Sequence, residues 1–76
     1  MDLDRLHYMA NQIARNLAAG GKEAAIAATA QHIVNYWDPR MKAAILAGDR
    51  SELEPIARTA VERLAALQQK GARPDT

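Results

Sequence analysis

The residues that could do specific chemistry in this 76-residue chain are concentrated in one segment, His32-Ile33-Val34-Asn35-Tyr36-Trp37-Asp38-Pro39-Arg40-Met41. It contains the only tryptophan and one of the two histidines. Tryptophan, tyrosine and arginine are the residue types most enriched among the energetically dominant residues of protein interfaces. We therefore predict partner binding through seven of these residues: His32, Tyr36, Trp37, Asp38, Pro39, Arg40 and Met41.

The same segment also fits a corner between two helices. Asp38 is a suitable N-cap, and Pro39 suits the first helical position, where its missing amide costs nothing. Trp37 and Met41 would then pack in the core. Arg40 is not explained in this way, because a cation in the first turn opposes the helix dipole at a cost of about 0.3–1 kcal/mol. Its planar guanidinium suits a carboxylate or carbonyl of a partner. The sequence therefore leaves two interpretations of the segment open, a docking surface and a structural corner.

Little in the rest of the sequence favours catalysis. His7 and His32 are the only histidines, no cysteine is present, and the spacing does not suit a metal site. Asp4 and His7 form an ordinary helix-surface pair. Gly20-Gly21 lacks the spacing of a phosphate-binding loop, and Ser51 fits a helix cap better than a nucleophile. We predict that the chain is not an enzyme and has no catalytic, cofactor-binding or metal-binding residue.

Caps, breaks and apolar spacing predict an all-α fold, a small bundle of three longer helices and one short helix. The first runs from Asp2 or Asp4 to Ala19, before Gly20-Gly21. The others span 22–36, 39–47 with Gly48 closing the short helix, and the stretch from a Ser51–Glu54 capping box to Gly71. The predicted core-facing stripes are Leu6, Met9, Ala10, Ile13 and Leu17; Ile26, Ala30, Ile33, Val34 and Trp37; and Leu53, Ile56, Ala57, Ala60, Leu64 and Leu67.

Length and composition predict one domain, residues 1–71, with a flexible tail at 72–76. Alanine accounts for 17 residues, and only 20 are large and apolar. Burying a large side chain gains about 1.5–3 kcal/mol, whereas ordering the backbone costs roughly 1–2 kcal/mol per residue. We expect a marginally stable monomer that gains stability from a partner or from a second copy.

The net charge of +1, with acidic and basic residues interspersed, argues against nucleic acid as the partner. A DNA-binding module stays open as the third alternative, because short helices joined by tight turns can form a helix-turn-helix. No apolar run approaches the roughly 20 residues that cross a bilayer. Residues 1–4 lack the basic-then-apolar order of a signal peptide, so we expect a cytoplasmic protein without a membrane partner.

Several strings resemble the delta subunit family of NAD-dependent formate dehydrogenases. They are Met9-Ala10-Asn11-Gln12-Ile13-Ala14, His32-Ile33, Tyr36-Trp37-Asp38-Pro39-Arg40-Met41, Leu53-Glu54-Pro55-Ile56 and Ala60-Val61-Glu62-Arg63-Leu64. The resemblance covers roughly residues 5–67 in matching order, and its specific part is Trp-Asp-Pro-Arg-Met. Tyr36 stands where the family usually has phenylalanine, and Lys42 where it has a second arginine.

The resemblance implies a non-catalytic accessory subunit of a cytoplasmic, molybdenum- or tungsten-containing formate dehydrogenase. Other subunits of such enzymes carry the bis-pterin metal centre, iron–sulfur clusters, flavin and NAD site. The implied partner is the catalytic large subunit, which the delta subunit would help to assemble, to acquire its cofactor or to remain stable. The main alternative is a self-associating module, a homodimer of the isolated chain, in which Ala24, Ala28 and Ala60 allow close helix approach.

Overall fold

Four α-helices make up the domain in a computed structural model that describes residues 2–72, with side-chain surroundings up to residue 67. The elements are α1 (Leu3–Leu17), a 3₁₀ turn (Ala18–Gly20), α2 (Lys22–Tyr36), α3 (Pro39–Ala47) and α4 (Pro55–Ala72). The part of the chain described here contains no strand. The prediction of an all-α bundle with three longer helices and one short one is confirmed.

Two glycines lie where helices end, and each meets a different constraint. Gly21 has φ +103°, a backbone conformation that glycine adopts without steric cost, and it separates the 3₁₀ turn from α2. Gly48, after α3, has an ordinary φ of −82°. A Cβ there would lie 2.6 Å from Leu3 Cδ2 and 3.0 Å from the Ala44 carbonyl oxygen. A side chain at position 48 would therefore force the Leu3 side chain, at the start of α1, to move.

The start of α4 differs from the predicted capping box. The Ser51 hydroxyl donates to Asp49 Oδ2 at 2.8 Å, so Ser51 belongs to a turn and does not cap a helix. The helix begins at Pro55, preceded by Glu54. The backbone N–H of Glu54 donates to Asn11 Oδ1 of α1 at 2.9 Å. The capping-box prediction is wrong because a distant side chain, not the local serine, satisfies an amide at this helix start.

The end of α4 also differs from prediction. The helix continues through Gly71 to Ala72. Glycine within a helix costs only about 1 kcal/mol relative to alanine, which does not by itself terminate a long helix. Apart from Ala72, the predicted flexible tail at 72–76 lies outside the described residues.

The core lies where all four helices meet. Its main cluster of buried residues is Leu6, Ala10, Ala14, Ile33, Trp37, Ile45, Leu53, Ala57, Val61 and Leu64. The predicted stripes are correct for most of these, but Val34 and Leu67 are exposed, whereas His7, Thr29 and Val61 are buried. The differences arise because each helix packs against more than one neighbour, so its buried face is wider than a single stripe.

Small side chains allow α2 and α4 to pack closely, and this is the most extensive helix contact. Ala25 of α2 and Ala57 and Ala60 of α4 are completely buried. Ala24, by contrast, is exposed. Ala60 is used inside the chain and does not belong to a surface that a second copy could reach.

Two ion pairs tie the longer helices together at the surface. Arg15 of α1 binds Glu54 at the start of α4, and its Nε lies 3.1 Å from Glu54 Oε1. Arg63 of α4 binds Glu23 of α2 at 2.6 Å. The hydrogen bonds from these arginines, together with their charge, lower the pKa of both glutamates. All four side chains are at least 41% exposed to solvent, so the pairs add little to stability at moderate salt.

Candidate functional site

The junction of α2 and α3 has the predicted corner geometry. Trp37 leaves the helical conformation with ψ 139°, which ends α2 at Tyr36. Asp38 is the N-cap of α3, and its Oδ1 accepts the Met41 backbone N–H at 2.9 Å. Pro39 occupies the first position of α3. Proline favours extended backbone at the residue before it, so the Asp38-Pro39 pair sets the break locally.

Two of the seven predicted site residues are held by the core. Trp37 is only 5% exposed and belongs to the main buried cluster. Met41 is half-buried and packs against the same cluster. Together they anchor the corner to the interior. Trp37 is therefore not surface for a partner to bind in this conformation, whereas Met41 stays partly accessible.

Tyr36 and His32 lie on the outer side of α2. Tyr36 is 74% exposed, the highest value among the large apolar side chains described. His32, one turn earlier, is half-buried, and its ring centroid lies 4.8 Å from that of Tyr36 with the planes tilted by 42°. This spacing is typical of an i, i+4 aromatic pair. The pair presents a flat, partly apolar surface just before the corner.

The two cations that begin α3 have different surroundings. Lys42 Nζ lies 3.4 Å from the Val34 carbonyl oxygen, near the C-terminus of α2, where a positive charge is favourable. Arg40 is exposed, and its guanidinium pairs with no carboxylate among residues 2–67. The dipole of α2 therefore accounts for Lys42. Arg40 has no comparable partner in the described part of the fold.

The seven predicted residues thus divide by position. Trp37 and Met41 face the core, Asp38 and Pro39 shape the backbone, and three remain outward: His32, Tyr36 and Arg40. We call these three the junction surface. Burial of Trp37 fixes where they lie, because it holds the residue between the two helices in one position.

Sequence reasoning missed two polar residues of α1 that the fold uses. Asn11 forms hydrogen bonds with the backbone of the loop before α4. The residues around Asn11 in the sequence do not predict this partner, which lies more than 40 residues away. His7 is 4% exposed, and within the described structure neither ring nitrogen has a hydrogen-bond partner. One signal was present, since His7 precedes Ala10 and Ala14 at helical spacing and so shares their buried face.

The described residues contain no group of three or more His, Asp or Glu side chains placed to hold a metal ion. Within the same range, no helix combines the length and apolar character needed to cross a membrane.

The fold and the junction define a class: a small all-α domain that presents aromatic and basic side chains where two helices meet. Residues 5–61, well over half of the chain, match the family described as NADH-dependent formate dehydrogenase delta subunit FdsD. The chain belongs to this family, so the resemblance is confirmed. No curated protein and no solved structure is significantly similar to it.

Proposed function

We propose that this delta subunit is a non-catalytic accessory subunit that docks on the catalytic subunit through the junction surface. One observation carries the proposal: Arg40 is exposed, unpaired among the described residues, and placed against the dipole of its own helix. Such an arginine is suited to a carboxylate or carbonyl of another chain. The neighbouring Tyr36–His32 pair adds an aromatic surface of the kind common at interface hot spots.

The proposed consequence of docking is assistance to the catalytic subunit in the cytoplasm, through assembly, cofactor acquisition or stability. A ligand that binds only the folded state stabilises it by mass action. A small domain rich in alanine and a large subunit awaiting its cofactor would each gain stability from the contact. The delta subunit itself would supply no reacting group.

The direct test is a binding measurement between the purified subunits with Arg40→Ala. Removal of an interface hot spot weakens binding by about 30-fold or more. Arg63→Ala is the matched control, because Arg63 is also exposed but pairs with Glu23, the second residue of α2. Glu23 lies about 20 Å along α2 from Tyr36, so this ion pair is far from the junction surface. Equal binding by Arg40→Ala and the native chain would contradict the docking role of Arg40.

A second variant separates the aromatic contribution. Tyr36→Ala removes the exposed ring, whereas Tyr36→Phe keeps it and restores the residue that the family usually carries. We expect Tyr36→Ala to weaken binding and Tyr36→Phe to retain it. Circular dichroism should show native helicity for both, because the side chain is largely exposed. Loss of binding together with loss of helicity would instead indicate a role in folding.

The accessory role needs its own readout. Co-expression of the other enzyme subunits with native chain, Arg40→Ala or no delta subunit should change formate oxidation and the molybdenum or tungsten content of the catalytic subunit. We expect Arg40→Ala to resemble omission of the chain. Full activity and full metal content without any delta subunit would contradict an assembly or stabilising role.

A further inference from the structure

A second surface feature lies on α1, outside the junction surface. It is a cleft of about 380 Å³ between the first half of α1 and the loop before α4. We call it the α1 cleft; its lining residues are Asp4, His7, Tyr8, Asn11 and Glu52. The cleft is polar, unlike the larger apolar groove near the end of α1, and the proposed docking role does not use it.

His7 is the unusual member of the α1 cleft. Its imidazole is buried, and neither Nδ1 nor Nε2 has a hydrogen-bond partner among the described residues. A neutral imidazole has one donor nitrogen and one acceptor nitrogen. Buried polar groups are nearly always paired, so an unpaired one requires an explanation. Both nitrogens are shielded from solvent, so a donor that enters the cleft would pair with the free lone pair only if the ring turned toward it.

The other lining residues indicate a cation as that donor. Asp4 and Glu52 carry carboxylates that form no ion pair with residues 2–67. Tyr8 is 64% exposed at the same cleft, which leaves its ring free to stack on a flat group. Asn11 contributes no free charge, and its amide is already bonded to the loop. Two unpaired carboxylates and an aromatic ring therefore surround the space that His7 borders.

We propose that the α1 cleft binds an arginine side chain of a partner protein. A guanidinium is planar, carries five N–H donors and stacks on aromatic rings, whereas a lysine ammonium is a compact and strongly hydrated charge. It can donate to Asp4 and Glu52 while lying against Tyr8. This contact is independent of the junction surface and would add a second point of attachment for an interacting chain.

The test is an NMR titration of the full chain with the peptide acetyl-Gly-Arg-Gly-amide. We expect saturable shifts at millimolar peptide, confined to α1, the loop before α4 and the His7 imidazole. The peptide with citrulline in place of arginine has the same shape without the charge and should give none. The lysine peptide should bind more weakly. Equal responses to the arginine and citrulline peptides would overturn the proposal, as would shifts that never saturate.

Matched variants locate the binding. Glu52→Gln removes one carboxylate of the α1 cleft and should weaken arginine binding by about twofold to fivefold, the range for exposed charge pairs. Glu62→Gln removes an exposed carboxylate from α4 and should leave it unchanged. Equal weakening by both would mean non-specific attraction and would refute the site. Arg40→Ala should not alter the titration, so this result is independent of the proposed docking role.

Discussion

Asn11 connects α1 to the start of α4, and its removal is the sharpest test of how the fold is held together. Its Nδ2 donates to the Glu52 carbonyl oxygen at 3.1 Å, and its Oδ1 accepts the Glu54 N–H at 2.9 Å. These bonds span 41 and 43 residues of sequence. Asn11→Ala breaks both and leaves the partly buried Glu54 amide without its acceptor.

The expected effect follows from the number of bonds. Each intramolecular hydrogen bond contributes about 0.5–1.5 kcal/mol net, so the loss should lower the free energy of unfolding by about 1–3 kcal/mol. The higher helix propensity of alanine offsets about 0.5 kcal/mol of this loss in the free energy of unfolding. For a domain of this size each kcal/mol lowers the melting temperature by about 4–8 °C. The variant should therefore melt well below the native chain.

Asn16→Ala is the matched control, because Asn16 is exposed on the same helix and gains the same helix propensity. The difference between the two variants, measured by thermal and urea unfolding followed by circular dichroism, isolates the two long-range hydrogen bonds. If the free energies of unfolding of Asn11→Ala and Asn16→Ala agree within about 0.5 kcal/mol, the two long-range hydrogen bonds do not stabilise the fold.

Three further predictions concern the core, the buried histidine and acid pH. Trp37→Ala should lose about 3–5 kcal/mol, a large part of the roughly 4–11 kcal/mol expected for 76 residues, and urea unfolding will show this as a lower midpoint. His7→Leu should raise the free energy of unfolding by about 1–3 kcal/mol, because it removes two unpaired buried nitrogens; equal or lower stability would contradict this. The pKa of Glu54 is lowered by its hydrogen bond with Arg15, so this pair stabilises the fold above the unfolded pKa of about 4.3 and stops doing so as the pH falls through the folded value. The destabilisation by Arg15→Gln should therefore shrink between pH 7 and about pH 3, and a constant difference would refute the coupling.

The burial of Trp37 changes how the docking proposal should be tested. A Trp37→Ala variant could lose partner binding simply by unfolding, since the indole belongs to the main core cluster. Arg40 and Tyr36 are exposed, so their replacement leaves the core intact. Variants of Arg40 and Tyr36 can therefore distinguish a binding role from a folding role, whereas a Trp37 variant cannot.

Local chemistry made much of the fold predictable. The break between α2 and α3 follows from Asp38-Pro39, and it lies where the sequence indicates because capping and the restriction before proline act over two or three residues. The break at Gly21 is local in the same sense. The Trp-Asp-Pro-Arg-Met string also indicated the family that the match over residues 5–61 establishes.

The remaining features depend on which helix faces meet. Ser51 has the pattern of a cap, yet the amide of Glu54 bonds to Asn11 instead, because packing brings α1 beside this loop. His7 resembled a surface residue, and the contacts of α1 buried it. The sequence determined where the helices begin and break, since those choices rest on neighbouring residues. Tertiary structure alone decided which side chains are buried in the core, which form hydrogen bonds between distant segments and which stay exposed. Burial and long-range hydrogen bonds arise only when distant segments pack together.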